Sequence, residues 1–302
     1  MASREDNAIS VEGVRLTSPD KVLFPEQGIT KLALADYYCR VATHMLPHVT
    51  KRPISLVRSP EGRQRKCFFQ RHAGSGVPRE VSEVQIEGFE ESGAYLFIRD
   101  VRGLIALVQM GVLEIHPWGS RIDRPLRPDR IVFDLDPGEG LQFRDVVAAA
   151  LDVRKALVGV QLVSFVKTTG GKGLHVEVPI ERRYEWPAAK AFAKATAEAI
   201  AADAPDRFLT KIPKAQRKGR IFIDYLRNDP TATSIAAYST RAKTGAPVAT
   251  PLDWSELTPR LDPTTFDIFS VPERLVRIGK DPWFAFNGLR QRLPAPPRGA
   301  EK

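Results

Sequence analysis

Three aspartates interrupt two otherwise apolar stretches of the chain. Asp134 and Asp136 flank Leu135 in the segment RIVFDLDPG, and Asp224 lies in the segment RIFIDYL. Residues two apart on a strand point to the same side, so we expect the carboxylates of Asp134 and Asp136 to leave one face. Side by side they would repel each other, and a divalent cation would remove that repulsion. With the two strands adjacent, three carboxylates would surround one or two metal ions, as two-metal phosphoryl transfer requires.

The alternative for these acids is a structural or solvated role, because a D-x-D pair is common and carries little information alone. The context favours function, since each acid interrupts an apolar strand, where an unpaired carboxylate is costly. We therefore predict that Asp134, Asp136 and Asp224 are catalytic and metal-binding residues.

A glycine-rich turn in the segment KTTGGKGLHVEV is the second candidate feature. Its glycines would let backbone amides approach a phosphate, and Lys172 would add a positive charge, although the spacing is not that of a P-loop. In the strand that follows, alternate apolar residues are expected to face the core, which turns His175 and Glu177 the other way. A tight turn without a ligand is the alternative. The lysine in the turn and the histidine just after it favour triphosphate binding.

Two further segments combine positive charge with other signals of nucleic-acid binding. The run KIPKAQRKGR before Asp224 holds five basic residues and no acid: Lys211, Lys214, Arg217, Lys218 and Arg220. Beside a metal site we expect it to contact phosphates, although a solvated face is the usual alternative. Phe68 and Phe69 lie between basic residues, and adjacent strand residues point to opposite faces, so one could be core and the other stack on a base. Core and stacking stay equally open for Phe68, and stacking is favoured for Phe69.

Composition limits the class of protein. The chain has 302 residues, 45 Lys+Arg against 36 Asp+Glu, a net charge of +9 and 43% hydrophobic residues. This balance excludes a disordered or fibrous chain, and no apolar run approaches the ~20 residues of a membrane span. Two cysteines without metal-site spacing fit a reducing cytoplasm, and no signal peptide is predicted. The sequence pI near 9.6 favours a polyanionic partner, most simply nucleic acid.

These residues must be positioned by a mixture of helices and strands. Thr30 is predicted to cap a helix that ends before Pro47, and Asp100 a helix that stops at Gly111. Further helices are predicted over 143–157 and from Pro187 to Pro205, with a hairpin over 161–180. We expect RIDRPLRPDR to be a connector and the last 70 residues to be proline-punctuated. The pattern predicts an α+β (mixed α/β) fold.

Six segments, in order, resemble the polymerase domain of bacterial DNA ligase D, within the archaeo-eukaryotic primase superfamily: SPDKVLFPEQGITK, FFQRHAG, EIHPWGS, FDLDPG, KTTGGKGLHV and FIDYLRN. The resemblance runs from Ser18 to beyond Arg241. It implies a primase-like catalytic core with antiparallel or mixed sheets flanked by helices. We expect one domain over 1–302, with an N-terminal lobe over 1–95, a catalytic core over 96–290 and a frayed tail over 291–302.

The resemblance also implies roles for individual residues. The three aspartates would hold Mn²⁺ or Mg²⁺, most simply two ions. Thr169, Lys172 and His175 would hold the triphosphate of an NTP or dNTP, helped by Arg217 and Arg241. A second set would contact the sugar and the bases: His116 near the sugar, and Phe69 against the incoming base or the template.

DNA contacts are assigned to the N-terminal part of the chain. The resemblance implies that Lys21 and Lys31 form the pocket for a 5′-phosphate across a gap, and Arg58 and Phe68 are assigned to DNA binding. Lys31 has an independent argument, because it lies just inside the helix that Thr30 begins, and a helix N-terminus with a lysine is an anion site. Without the resemblance, these lysines would be interpreted as solvated.

The function implied is a polymerase of non-homologous end joining that fills gaps and extends 3′ ends, preferring ribonucleotides. Its expected partners are gapped or overhanging duplexes, nucleoside triphosphates, ATP-dependent ligase and phosphoesterase modules, and Ku, with no membrane. The expected location is the bacterial cytoplasm, at the nucleoid. Three alternatives remain: a primase that starts chains unaided, a non-catalytic scaffold that binds DNA ends, and a metal-dependent nuclease.

Overall fold

The computed structural model describes residues 7–89, 93–210 and 217–294. These residues form five α-helices: α1 (Lys31–Val49), α2 (Val101–Gln109), α3 (Phe143–Gly159), α4 (Trp186–Asp203) and α5 (Ser270–Ile278). The strands before α3 are β1 (Ala8–Val11), β2 (Val14–Thr17), β3 (Val22–Phe24), β4 (Ile29–Thr30), β5 (Ile54–Arg58), β6 (Phe68–Gln70), β7 (Ser82–Val84), β8 (Tyr95–Phe97), β9 (Val112–Pro117), β10 (Ser120–Arg121), β11 (Arg124–Pro128) and β12 (Arg130–Pro137). Those after α3 are β13 (Phe165–Thr168), β14 (Leu174–Pro179), β15 (Phe208–Leu209), β16 (Ile221–Asp224) and β17 (Pro251–Leu252). The predicted α+β (mixed α/β) fold is confirmed. No helix among these residues is long and apolar enough to cross a membrane.

The chain folds into two compact units that interleave along the sequence. The first unit comprises Met1–Trp118, Ile235–Thr250 and Thr264–Asp281, and the second comprises Gly119–Ser234, Pro251–Pro263 and Pro282–Lys302. The single domain with its lobes stays a prediction.

The first unit is built around strand β5. This strand pairs antiparallel with β6, β8 and β9, and β7 extends the sheet beyond β8. Helix α1 packs on α2, and its buried side is apolar or aromatic, as a 3.6-residue period requires. The fully covered residues of α1 include Leu34, Tyr37, Tyr38, Val41 and Met45.

Helix α1 begins as predicted and ends later than predicted. The Thr30 hydroxyl accepts a hydrogen bond from the Ala33 N–H, so Thr30 is the N-cap. The helix continues through Pro47 to Val49. Proline removes only one hydrogen bond in the last turn. The turn is held by buried His48 and Val49 and by Thr50, whose N–H and hydroxyl both donate to the Leu46 carbonyl.

The second unit contains a six-stranded mixed sheet in the order β15-β16-β12-β14-β13-β17. Only the β15–β16 pair is parallel among the pairs of this sheet. One side of the central strand β12 is apolar, since Ile131, Phe133 and Leu135 alternate with the residues of the other side. Helices α3 and α4 both pack against β12. The sheet therefore carries the acidic residues on a strand fixed on both edges.

A further sequence-based prediction about local structure is wrong, and one helix was not predicted. The segment expected to be a connector forms the antiparallel pair β10–β11, because prolines are tolerated on an isolated two-stranded ribbon that needs few N–H donors. The proline-punctuated C-terminal region contains helix α5, which Gly279 ends in the left-handed conformation (φ 66°). Pro272 falls in its first turn, where proline does not break a helix.

Candidate active site

A row of four polar residues crosses the sheet of the second unit. In the strand register, Asp134 of β12 is directly opposite Asp224 of β16 on one side and His175 of β14 on the other. His175 is in turn opposite Lys167 of β13. Asp136 lies two residues along β12, on the same side of the sheet. The adjacency predicted for the two acidic strands is therefore present, and its register brings the three carboxylates together.

Arg227 neutralises part of this acidic group. Its guanidinium lies 3.1 Å from Asp134 Oδ2 and 3.4 Å from Asp224 Oδ2, and the Leu226 N–H donates to Asp224 Oδ1 at 2.8 Å. Although burial alone would lower the pKa of Arg227, the charges of Asp134 and Asp224 raise it. The arginine therefore stays charged between two carboxylates.

The three carboxylates differ in pKa because their surroundings differ. Burial and the charge of Asp134 raise the pKa of Asp136 to about 6. Burial also raises the pKa of Asp224, against the opposing effect of Arg227. Burial disfavours the Asp134 carboxylate too, but His175 and Arg227 outweigh it and lower its pKa. Asp136 thus carries the repulsion that Arg227 leaves uncompensated.

The donor set fits a divalent cation. Carboxylate oxygens are the ligands that Mg²⁺ and Mn²⁺ prefer, and the raised pKa of Asp136 shows negative charge that a cation would relieve. Within the described residues, no three His, Cys, Asp or Glu side chains have the arrangement of a preformed metal centre.

His175 shares the side of the sheet that carries Asp134, as the alternation in β14 predicted, and it is buried there. It is 2% exposed, and Lys167 and Glu177 are each 1% exposed. Lys167 Nζ lies 2.7 Å from His175 Nδ1 and 3.5 Å from Glu177 Oε1, and His175 Nε2 lies 3.3 Å from Asp134 Oδ1. Arg130 completes the set at 3.2 Å from Glu177. The polar side of the sheet is thus covered, because its charges compensate one another.

Burial controls the ionisation of this charge network. It lowers the pKa of Lys167 to about 8, although the charges of Glu177 and Asp134 oppose it. Burial would raise the pKa of Glu177, but Lys167 and Arg130 prevail and lower it.

The glycine-rich turn joins β13 to β14 beside the acidic strand. The Thr169 hydroxyl donates to the Gly173 carbonyl at 3.1 Å, and Lys172 is exposed at the tip of the turn. A Cβ on Gly173 would lie 2.7 Å from the Leu135 carbonyl oxygen, so only glycine lets the turn approach β12 this closely. The turn therefore lies against the strand that carries Asp136.

The basic run before β16 is described only in part. Arg217 stacks its guanidinium over the Phe222 ring at 3.9 Å, on the strand that ends at Asp224. Lys211 and Lys214 lie outside the described residues.

A second polar cluster in the first unit joins two other predicted residues. Glu114 of β9 accepts hydrogen bonds from His116 Nε2 at 2.8 Å and from the Ala242 N–H at 2.8 Å, and Arg241 Nε lies 3.0 Å from it. The His116 ring meets the Phe69 ring edge-on, with 6.1 Å between centroids. Glu114 thus links His116 and Arg241, which are distant in sequence.

Both phenylalanines of β6 are exposed, which removes the core alternative that the sequence left open for Phe68. Phe68 is 40% and Phe69 48% exposed, because β6 is a three-residue edge strand with little packed on it. Arg58 lies 5.3 Å from the Phe68 ring, and Arg71 lies 5.4 Å from the Phe69 ring. Arg58 also donates to the Met110 carbonyl at 3.0 Å.

The predicted phosphate-binding lysines lie near each other in the first unit. Lys31 is buried, and its Nζ donates to the Thr17 carbonyl at 2.7 Å. Burial and the nearby charge of Lys21 lower the pKa of Lys31. Lys21 forms an ion pair with Glu61 at 2.9 Å.

Sequence reasoning missed several residues of these clusters. Glu114, Lys167 and Glu177 each interrupt an apolar strand, so the signal used for the aspartates was available for them as well. Asn228 carried no such signal: its side chain accepts from the Val132 N–H and donates to the Val132 carbonyl, replacing a neighbouring strand beside β12.

Comparisons with known proteins decide the family. Residues 30–283 match the sequence profile of LigD, primase-polymerase domain. The chain belongs to this family. It is therefore a nucleotidyltransferase domain, as the motifs predicted.

Named relatives agree with this membership. The chain is 38% identical to the multifunctional non-homologous end joining protein LigD of Pseudomonas aeruginosa, over 97% of this chain and 35% of that protein. It is 34% identical to the Mycobacterium tuberculosis LigD, over 90% of this chain and 36% of that protein. The chain thus spans about a third of the length of these curated relatives. The polymerase domain of M. tuberculosis ligase D in complex with DNA superposes with a TM-score of 0.84 and 33% identity, covering 91% of this chain and 98% of that one.

Proposed function

We propose that this LigD-type domain adds nucleotides to the 3′ ends of broken or gapped DNA in non-homologous end joining, and that it prefers ribonucleotides. The observation that carries the proposal is the direct register of Asp134 with Asp224 and His175, with Asp136 on the same side of the sheet. Three carboxylates and a histidine side by side support a site for a metal-bound triphosphate.

Asp134, Asp136 and Asp224 would hold the divalent cation, Mn²⁺ or Mg²⁺ and most simply two ions. When bound, the cation would activate the primer 3′-hydroxyl and stabilise charge on the phosphates. Because Arg227 contacts Asp134 and Asp224, it limits repulsion between these two acids before substrate arrives.

Thr169, Lys172 and His175 would bind the triphosphate, with Arg217 and Arg241 supplying further positive charge. Lys172 suits this role because it is exposed at the tip of the turn. His175 would donate from Nε2, since Lys167 lies on its Nδ1. These donors would offset the charge that develops on the phosphates during transfer.

Residues of the first unit would bind the remaining parts of the substrates. His116 would contact the sugar, and the exposed ring of Phe69 would stack on the incoming base or the template. Lys21, Lys31, Arg58 and Phe68 would bind the downstream DNA with its 5′-phosphate. The family resemblance further suggests ligase and phosphoesterase modules and Ku as partners, and a place at the bacterial nucleoid.

The test is extension of a gapped, 5′-phosphorylated duplex with Mn²⁺, comparing NTP with dNTP and wild type with Asp136→Ala. We expect templated addition that is more efficient with NTP and is lost in the variant. Asp152→Ala is the matched control, because Asp152 lies on α3 in a surface pair with Arg207.

The same reactions separate the alternatives. No addition by wild type that still binds DNA would indicate a scaffold, and cleavage of labelled DNA without nucleotide would indicate a nuclease. Dinucleotide synthesis on bare single strands would indicate a primase.

A further inference from the structure

Glu114 is a buried carboxylate that collects three donors. It is 6% exposed, and its Oε2 lies 2.8 Å from His116 Nε2. Its Oε1 receives the Ala242 N–H at 2.8 Å and lies 3.0 Å from Arg241 Nε. Burial alone would raise the pKa of Glu114, but His116 and Arg241 outweigh it and lower the pKa to about 2. The side chain is therefore ionised at neutral pH and can only accept hydrogen bonds.

An acceptor at this position decides which ring nitrogen of His116 carries the proton. Because Glu114 Oε2 cannot donate, His116 Nε2 must do so. In the neutral ring the proton is then on Nε2, and any partner that meets Nδ1 must itself be a hydrogen-bond donor. The edge-on contact with Phe69 restricts the ring plane as well.

We propose that Glu114 is a positioning residue that holds His116 as an Nδ1 acceptor for a hydroxyl donor on the nucleotide sugar. This inference rests on the proposed function, in which His116 contacts the sugar. Of the two sugar types, only ribose offers a 2′-hydroxyl. Glu114 would thereby contribute to the choice of ribonucleotide without touching it.

Glu114→Gln should move the proton of the neutral His116 ring from Nε2 to Nδ1. Two donors converge on Oε1, so the amide oxygen of glutamine must take that position. The amide NH₂ then faces His116 Nε2 and donates to it. His116 would have to accept at Nε2 and carry its proton on Nδ1, so a donor would replace an acceptor at the sugar.

Nitrogen NMR of the full chain reads the tautomer directly. The chain has five histidines, and His116→Gln would assign the signal. In the wild type we expect a proton on Nε2 and none on Nδ1 of His116, and in Glu114→Gln we expect the proton on Nδ1. Protonated Nδ1 in the wild type would overturn the proposal, and this measurement does not require the variant to fold.

Nucleotide analogues test the consequence at the sugar. A 2′-hydroxyl can donate to Nδ1, whereas 2′-fluorine can only accept. We expect kcat/KM for NTP over 2′-fluoro-NTP to be about fivefold in the wild type, the effect of one hydrogen bond. The ratio should fall in Glu114→Gln, because a protonated Nδ1 can donate to either the hydroxyl or the fluorine. The ratio isolates the sugar contact, because any effect of Glu114→Gln on Arg241 and the triphosphate is common to both nucleotides.

Glu83→Gln is the matched control, because Glu83 is an exposed strand glutamate of the same unit. An unchanged ratio in folded Glu114→Gln would overturn the inference. A wild type that extends no primer would instead contradict the proposed function, and the NMR result would still stand on its own.

Discussion

At the scale of single residues, the second unit concentrates charge where a cation and a triphosphate would lie. Burial and the charge of Asp134 raise the pKa of Asp136 despite the opposing charge of Arg227, and buried Lys167 and Glu177 hold His175 against Asp134. The ionised Asp136 carboxylate costs stability in the free protein, whereas each partner of the buried charge network is needed by the others. Each yields a prediction about stability that is separate from activity.

Asp136→Asn should stabilise the metal-free protein while abolishing extension. The pKa of Asp136 is raised from 3.8 to about 6, so the folded state keeps a proton that the unfolded chain releases. The free energy of unfolding therefore falls as the pH rises through this window, and the ionised form costs about 1–3 kcal/mol above it. Urea unfolding in EDTA at pH 7.5 should show this gain in Asp136→Asn and a weaker pH slope between pH 4 and 6. Asp152→Asn should change neither, and equal slopes in wild type and Asp136→Asn would refute the prediction.

Lys167→Met should lower the free energy of unfolding by about 2–4 kcal/mol, because it removes the lysine charge beside buried Glu177 and leaves Arg130 and His175 as its partners. Adding Glu177→Gln should restore part of the loss, and a double-mutant cycle by urea unfolding measures the coupling. Lys194→Met breaks an exposed pair with Glu198 and should cost less than about 0.5 kcal/mol. If the changes in unfolding free energy of Lys167→Met and Glu177→Gln simply add in the double variant, the predicted pairing of Lys167 with Glu177 is contradicted.

At the scale of elements, a turn can contribute to the acidic site on β12 only if its backbone comes close to that strand. The turn between β13 and β14 reaches β12 only because Gly173 has no side chain. In the first unit, Thr30 begins α1 and brings Lys31 to its first turn.

Gly173→Ala should destabilise the protein by about 2 kcal/mol or more and reduce nucleotide binding, because its Cβ would press on the Leu135 carbonyl at 2.7 Å. Gly159→Ala is the control, since nothing lies within 4 Å of its Cβ at the end of α3. We expect that substitution to be neutral or slightly stabilising. Thermal unfolding and nucleotide titration measure both, and equal effects would refute the prediction.

Lys21→Ala and Lys31→Ala should weaken binding only to gapped duplexes that carry a downstream 5′-phosphate. The two lysines lie close enough for the charge of Lys21 to lower the pKa of Lys31, and Lys31 begins a helix. Fluorescence anisotropy with and without the phosphate measures the difference, with exposed Lys155→Ala as control. Equal losses on both duplexes would count against the pocket.

At the scale of the whole molecule, the net charge of +9 predicts binding to DNA through its phosphates. The logarithm of affinity should fall linearly with the logarithm of salt concentration, with a slope of about −0.9 per phosphate contacted. Asp136→Ala should keep the wild-type slope, because Asp136 contacts no phosphate directly. A clearly different slope would place Asp136 in DNA binding instead. Filter binding between low and physiological salt measures both.

Local pattern alone determined the strands that carry Asp134, His175 and Asp224, most helix starts and the common face of Asp134 and Asp136, because alternation and capping depend on near neighbours. It also carried the motifs that identify the family. It failed where packing overrides local preference, as in the last turn of α1 past Pro47, and it left the placement of Phe68 open.

Only the tertiary structure decided which charges meet. Arg227 reaches Asp134 across 93 residues of sequence, and the Ala242 N–H reaches Glu114 across 128. No local pattern carries such pairings, since they follow from strand register and from segments that return to a unit late in the chain. The tertiary structure also decided that His175 and Lys167 are buried. From sequence alone, a polar or charged residue in a strand can lie on a buried or an exposed face, and its partners settle which.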